Sequence, residues 1–145
     1  MSEQTMPGFS LAAPLRAESH VLGRLPLCQV LLVNKAEVPW FILVPATTVI
    51  ELCDLSAAEQ TQLQGEINQL SRWVRARFAV TKLNIAAIGN LVPQLHIHII
   101  GRHPDDAWWP GVAWGQPSSR GYEPARVAEL ALLLAQDLGG AYARL

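Results

Sequence analysis

Charged residues are scarce in this chain of 145 residues: Asp, Glu, Lys and Arg make up 16% of it, and the formal net charge is −1. The sequence pI is about 6.4. Proteins that bind nucleic-acid polymers usually present a broad basic surface, so this charge balance argues against a polymer partner. A nucleotide-sized anion remains compatible with it, because a small pocket needs only a few hydrogen-bond donors.

Long hydrophobic runs are absent as well. No apolar stretch approaches the ~18 residues that a membrane-spanning helix needs, and the first residues, M-S-E-Q-T-M-P-G, lack the basic and apolar regions of a secretory signal. We therefore expect a soluble cytoplasmic protein with no membrane partner.

Cysteine is rare, with only Cys28 and Cys53, and the two form no C-x-x-C pair. Both lie in apolar surroundings, so we expect two reduced core residues rather than a disulfide or a redox motif. Histidine is also rare, at four residues.

The remaining composition, 50% hydrophobic, is enough for one well-buried core. We predict an α+β fold with an antiparallel sheet, in the order β-β-α-β-β with flanking helices. Residues 1–145 form a single domain in this prediction, with a loose leader over residues 1–10, a core over about 15–115 and a C-terminal helix over about 124–138. The predicted elements are a short helix at Leu15–Leu22, strands at Leu27–Asn34, Trp40–Pro45 and Thr81–Ile88, and a helix of about 22 residues after a Ser56–Glu59 capping box. Glu66 is predicted to lie on the outer face of that long helix.

The most informative stretch is Pro93–Arg102, P-Q-L-H-I-H-I-I-G-R. Apolar and polar residues alternate along it, which predicts a β-strand. One face carries Leu and Ile and is suited to burial, while the other carries Gln94, His96 and His98 about 6.5–7 Å apart and should stay reachable. This strand and the Thr81–Ile88 strand are predicted to form a hairpin.

Three interpretations of the histidine face remain open. A neutral imidazole is a nucleophile toward phosphorus if one nitrogen is free and the other donates to an acceptor, which the backbone carbonyl near position 94 could supply to His96. Alternatively, both histidines are simply hydrogen-bonded, partly buried residues. A Zn²⁺ site is the third reading, although His103 is out of register for a third ligand, so we expect no metal.

The segment Q-L-H-I-H-I-I resembles the motif of the histidine triad (HIT) superfamily, H-φ-H-φ-H-φ-φ with φ apolar, in a bacterial subgroup with Gln first. The resemblance extends over L-L-V-N-K-A-E-V-P-W-F-I-L-V-P, D-L-S-A-A-E and W-P-G-V-A-W-G, roughly Leu27 to Gly115. It implies an enzyme that attacks the α-phosphorus of a nucleoside phosphate, such as a dinucleoside polyphosphate or nucleoside phosphoramidate. The reaction would proceed through a nucleotidyl-histidine, without a cofactor.

The resemblance also implies roles for individual residues. His96 is the nucleophile, His98 assists at the phosphate or leaving group, and Gln94 stands at the first motif position. Asn34 matches a ribose contact, and Asn90 lies near a phosphate-site residue. Such proteins are typically homodimers, and the aromatic segment after the histidine strand would be hard for one domain to bury.

Two departures from the family pattern favour a different class of function. Thr47-Thr48 stands where many members have a basic residue or an extra histidine, and only Leu91-Val92-Pro93 separate Asn90 from Gln94. Arg102 could compensate as a phosphate ligand. The alternative is a nucleotide-binding module without turnover. Trp108, Trp109 and Trp114 are candidates for a base-binding wall, a dimer contact or plain packing.

Overall fold

The computed structural model describes residues 9–144. Across them runs one sheet whose paired strands are all antiparallel, in the spatial order β4-β5-β3-β2-β1-β6. The strands are β1 (Ser19–Arg24), β2 (Cys28–Val33), β3 (Trp40–Pro45), β4 (Lys82–Ala86), β5 (Ile97–Arg102) and β6 (Ala143–Arg144). The helices are α1 (Ala13–Glu18), α2 (Ala57–Arg77) and α3 (Pro124–Leu138), with 3₁₀ turns at Leu52–Asp54 and Gly139–Ala141. The predicted α+β class is confirmed.

Both predicted hairpins are present, because β2 pairs with β3 and β4 with β5. The prediction of a helix over Leu15–Leu22 is wrong in its second half: α1 ends at Glu18, and β1 begins at Ser19. Strand β1 pairs with β2 on one side and with the C-terminal β6 on the other. Gly23 permits this arrangement, because a Cβ there would collide with the ring of Tyr142.

The sheet is covered on both faces. Alternate residues of β2 and β3 enter two apolar clusters, so every position of these strands is buried. We call the cluster that includes α2 and α3 the helix-side core. The second, the site-side core, includes Phe9, Leu11, Leu15, Leu31, Val33, Val38, Trp40, Ile42, Val44, Ile100 and Ala113.

Helix α2 begins as predicted, with both hydrogen bonds of the Ser56–Glu59 capping box formed. The prediction that Glu66 lies on the outer face of this helix is wrong, because Glu66 is only 2% exposed. Its carboxylate accepts hydrogen bonds from the backbone amides of Leu27 and Cys28, at 3.0 and 2.9 Å. It therefore caps the start of β2, where burial without partners would be costly. None of the helices within residues 9–144 is long and apolar enough to cross a membrane.

Two smaller expectations are also corrected. Residues 1–8 of the predicted leader lie outside the described residues, but Phe9 is 8% exposed and packs in the site-side core. Of the two cysteines, Cys28 is buried as predicted, whereas Cys53 is exposed on the 3₁₀ turn that precedes α2.

Candidate active site

His96 and His98 lie side by side where β5 begins. The strand starts at Ile97, so His98 belongs to it and His96 comes immediately before it. Their ring centroids are 4.9 Å apart. The histidine face is less open than its alternation predicts, since the two residues are only 6% and 8% exposed. His98 pairs across the sheet with Ile42 and so lies on the side of the site-side core, which covers this face.

The imidazole of His96 is oriented by the main chain. Its Nδ1 lies 2.6 Å from the carbonyl oxygen of Gln94. A carbonyl oxygen only accepts hydrogen bonds, so Nδ1 must carry the proton. In the neutral ring, Nε2 on the far side then keeps a free lone pair. The acceptor proposed for His96 from sequence is therefore present in the structure.

His98 has the opposite tautomer. The indole Nε1–H of Trp40 donates to Nδ1 of His98 at 3.0 Å in a buried setting. An indole nitrogen cannot accept, so Nδ1 of His98 must be unprotonated and its proton must lie on Nε2. The pair thus combines a nitrogen lone pair on His96 with an N–H donor on its neighbour.

The surroundings keep His98 neutral. Burial and, to a smaller extent, the nearby His96 together lower its pKa to about 4. The rings of Trp40 and Trp114 pack edge-on against it, with centroids 5.7 and 5.4 Å away. At neutral pH, His98 is therefore a hydrogen-bond donor that carries no charge.

A cavity of about 420 Å³ opens onto the two histidines. Small-molecule sites typically have volumes of roughly 300–1,000 Å³ and mostly apolar walls. This wall comes from α1, from the ends of β2 and β3, and from the loop that connects β4 to β5. It consists of Leu15, Glu18, Ser19, Val33, Lys35, Trp40, Ile42, Ile88, Gly89, Asn90, Leu91, Val92, His96, His98, Trp114 and Gly115.

Other cavities are less complete. One of about 330 Å³ reaches His96 but not His98, and one of about 990 Å³ along α2 reaches neither. We call the 420 Å³ cavity, which contains both histidines, the histidine pocket.

Several residues of the histidine pocket were not identified as site residues from sequence. Lys35 supplies a positive charge and lies 5.2 Å from the centroid of the Trp40 ring. The sequence predicts only a strand at Trp40 and only a short flanking helix at the position of α1. The available signal was the tryptophan at the start of the Trp40–Pro45 strand, because a buried indole N–H usually has a hydrogen-bond acceptor.

Gln94 is placed differently from the two histidines. Its side chain turns toward the N-terminus: Nε2 donates to the carbonyl of Ser10, and Oε1 accepts from the amide of Ala12, both at 2.8 Å. The side chain does not line the histidine pocket. Only the backbone carbonyl of Gln94 meets the catalytic candidates, through His96.

The two predicted nucleotide-binding asparagines are also separated. Asn90 lines the histidine pocket. Asn34 lies at the end of β2 and does not, and its Oδ1 accepts hydrogen bonds from His20 Nε2 at 3.1 Å and from the amide of Tyr122 at 2.8 Å. Its ribose contact stays a prediction.

Arg102 is not brought into the histidine pocket. It is 2% exposed and lies four residues beyond His98 on β5, ~13 Å along the strand. Its Nε and Nη2 bind the two carboxylate oxygens of Asp106 at 2.8 and 3.1 Å, and Nη1 binds Asn84. This placement speaks against the predicted phosphate contact. Burial would raise the pKa of Asp106, but hydrogen bonds from Arg102, Trp108 and His103 outweigh it and lower that pKa to about 2.

Trp108 and Trp114 pack against the site-side core, and Trp109 is 37% exposed. The indole N–H of Trp114 is buried and has no hydrogen-bond partner among residues 9–144. Over the same residues, no three His, Cys, Asp or Glu side chains come close enough to hold a metal ion. The expectation of a metal-free site stays a prediction.

Residues 15–105 match the family model of the HIT domain. Three crystal structures of histidine triad proteins are similar to this chain. The one from Marinobacter aquaeolei VT8 is 40% identical, with a TM-score of 0.84, over 90% of this chain and 96% of that one. The one from Bradyrhizobium japonicum is 39% identical, with a TM-score of 0.86, over 90% and 98%. The one from Sinorhizobium meliloti 1021 is 32% identical, with a TM-score of 0.87, over 92% and 99%.

No curated protein matches the chain. The family model and these similarities place the chain in a superfamily of nucleotide-binding and hydrolase type. The chain belongs to the HIT family, as its H-I-H-I-I motif predicted.

Proposed function

We propose that this protein hydrolyses or transfers nucleotides by attack of His96 on the α-phosphorus of a nucleoside phosphate. The observation that carries the proposal is the pair of opposite tautomers. Nδ1 of His96 donates to Gln94, which leaves Nε2 free, while Nδ1 of His98 accepts from Trp40, which leaves an N–H to donate. Two histidines kept only for packing would not need this division.

In the first step, the Nε2 lone pair of His96 forms a bond to phosphorus, and the bond to the leaving group breaks with its electron pair. The imidazole gains positive charge, which strengthens its hydrogen bond to the Gln94 carbonyl. The Nε2–H of His98 is suited to donate to a phosphoryl oxygen, and Lys35 is the nearby cation. In the second step, water or another acceptor attacks phosphorus, and the electron pair of the N–P bond returns to His96. The proton that the acceptor loses balances the proton that the leaving group takes up.

The polar residues of the histidine pocket support a nucleotide ligand of modest charge. Among its described lining residues, the side chains with a formal charge are Lys35 and Glu18, and these two charges cancel. The apolar remainder of the wall is suited to a base or sugar face. A substrate of the nucleoside phosphoramidate type fits this description better than one of the dinucleoside polyphosphate type, which carries a negative charge on each phosphate.

A non-catalytic nucleotide-binding module is the second candidate. It is favoured by Thr47 and Thr48, which line a different cavity, of about 240 Å³, and bring no positive charge to the histidines. The two candidates separate in a turnover assay with a fluorogenic adenosine phosphoramidate and with diadenosine tetraphosphate, each with and without EDTA. Turnover that persists in EDTA supports the proposed enzyme, whereas nucleotide binding without any turnover supports the module.

Single substitutions should rank the residues by role. His96→Ala should abolish turnover, because losing a nucleophile removes orders of magnitude in rate. His98→Ala should cost less, and Gln94→Ala least, because the carbonyl at position 94 survives the substitution. A Gln94 side chain more essential than His96 would contradict the assignment.

We also propose that the protein is a homodimer. Exposed apolar side chains support this on the edge strand β4 and on the loop that follows it: Ile85 and Ile88 are each 45% exposed, and Leu91 is 98% exposed. Edge strands with exposed apolar residues favour pairing with another chain. Trp109 and Val112, from the aromatic segment, are exposed as well.

A further inference from the structure

The side chain of Gln94 connects two distant parts of the chain. Its primary amide pairs with the backbone of the N-terminal segment, which we define as residues 9–12: it donates to the carbonyl of Ser10 and accepts from the amide of Ala12. These contacts span 84 and 82 residues of sequence. A carboxamide is suited to this contact, because it offers a donor and an acceptor side by side, as a peptide group does.

The main chain of the same residue serves the nucleophile. The carbonyl oxygen of Gln94 accepts the Nδ1–H of His96 at 2.6 Å. The two halves of Gln94 therefore have separate tasks, since the carbonyl orients His96 while the side chain holds the N-terminal segment. An alanine at position 94 would remove the second task and keep the first.

The N-terminal segment leads directly into a wall of the histidine pocket. Helix α1 begins at Ala13, and its first turn is closed by the hydrogen bond from the amide of Arg16 to the carbonyl of Ala12. Leu15 and Glu18 of this helix line the pocket, as does Ser19 just after it. A helix of six residues has little stability of its own. Its position therefore depends on tertiary contacts, which include the burial of Leu15 and the hydrogen bonds that hold its start.

We infer that Gln94 is a positioning residue whose side chain fixes the N-terminal segment and thereby α1, which supplies one wall of the histidine pocket. The inference rests on the proposed function only for its effect on turnover. Its effects on backbone protection and ligand affinity do not require catalysis. The role explains why a glutamine at the first motif position is compatible with an intact site.

The substitution Gln94→Met tests this role, because it keeps the length of the side chain and removes both hydrogen bonds. Ala12→Pro tests the same contact from the other side. Ala12 has φ −57°, which proline adopts without strain, so the substitution removes the amide that Oε1 of Gln94 accepts from. Gln60→Met is the matched control, because Gln60 also donates to a backbone carbonyl, that of Leu55, and lies outside the histidine pocket.

Three measurements are needed on each variant. The first is amide hydrogen exchange at Arg16, and also at Ala12 in the two variants that keep this amide, Gln94→Met and Gln60→Met. The others are the Kd for adenosine 5′-monophosphate, and kcat and KM for a fluorogenic adenosine phosphoramidate. Gln94→Met should speed exchange at both amides by roughly tenfold or more, the effect of losing two hydrogen bonds. Its Kd and KM should rise several-fold while kcat stays within about twofold. Ala12→Pro should act in the same direction, and the double variant should add little to Gln94→Met.

Unchanged exchange at Ala12 and Arg16 in Gln94→Met would overturn the inference. A loss of kcat comparable to that of His96→Ala, with Kd unchanged, would also overturn it, because the side chain would then act in the chemical step. If the wild-type protein neither turns over nor binds nucleotide, the proposed function fails, and the exchange rates alone decide whether Gln94 positions α1.

Discussion

The indole nitrogen of Trp40 and Nδ1 of His98, 58 residues apart in sequence, are joined by a buried hydrogen bond of 3.0 Å. Because the indole only donates, the bond selects the tautomer of His98 with its proton on Nε2. The protonation pattern of the two histidines therefore depends on a residue of β3 that does not belong to the histidine motif.

Substituting Trp40 by Phe should remove the preference of His98 for the tautomer with its proton on Nε2. The Nδ1 of His98 loses its donor, so both tautomers become populated, and turnover should fall roughly 5- to 100-fold, as expected for one lost buried hydrogen bond. Nitrogen-15 NMR of the imidazoles reports the tautomer directly, even without substrate. Trp114→Phe is the control for the NMR measurement, since the Trp114 N–H has no partner among residues 9–144, and it should leave the tautomer of His98 unchanged. A single Nε2–H tautomer and full turnover in Trp40→Phe would contradict this prediction.

Acid should destabilise the fold through His98. Its pKa is lowered from 6.5 to about 4 in the folded protein, first by burial and then by His96. Between pH 6.5 and pH 4, the unfolded chain binds a proton at His98 and the folded protein does not. The contribution of neutral His98 to the free energy of unfolding is therefore complete above pH 6.5 and is lost as the pH falls through 4. The full effect is about 3 kcal/mol.

The measurement is urea unfolding of the wild type and of His98→Asn between pH 7 and pH 4. The wild type should lose more free energy of unfolding than the variant over this range, because asparagine does not titrate. Asp106 titrates lower, with a pKa of about 2, and is present in both proteins. Identical pH dependence of the two proteins would show that His98 is not held neutral by burial.

Arg102 should stabilise the fold rather than bind substrate. Its guanidinium and the Asp106 carboxylate are 2% and 7% exposed and form two parallel hydrogen bonds. Arg102→Gln leaves the carboxylate buried without its partner, which should cost about 3–5 kcal/mol of unfolding free energy. The double variant Arg102→Gln with Asp106→Asn should lose less than the sum of the two single variants. Unchanged stability together with a raised KM would support the phosphate contact instead.

The homodimer is tested by light scattering at micromolar concentration. The expected mass is twice the chain mass of 15.9 kDa. Ile85→Lys on the edge strand β4, or Leu91→Lys on the loop after it, should shift this mass toward the monomer, because a charge on the proposed contact opposes burial. A wild-type protein that measures as a monomer would contradict the proposal.

Local patterns predicted much of the fold. Alternation located β4 and the histidine strand, the Ser56–Glu59 box located the start of α2, and Pro124 and Gly139 bracket α3. Strand β1 was missed because the pattern of its own residues, S-H-V-L-G-R, is not that of a strand, although β2 begins only four residues after it ends. Its conformation is set by pairing with β2 and β6 rather than by its own residues.

The site was predictable in its motif and not in its surroundings. The spacing of His96 and His98, and the carbonyl that serves His96, follow from local sequence. The roles of Trp40 and of the Gln94 side chain depend on contacts across 58 and more than 80 residues. Nor could sequence show that Arg102 has a buried acidic partner, because an arginine after a strand is usually solvated.

The most direct test of the account is the covalent intermediate. Wild-type protein and His96→Ala are each mixed with adenosine phosphoramidate, quenched rapidly without acid and measured by intact mass spectrometry, with peptide mapping of any adduct. We expect a nucleotidyl adduct on His96 in the wild type, no adduct in His96→Ala, and loss of turnover in that variant despite an intact fold. An adduct on another residue, or near-full turnover by His96→Ala, would contradict it.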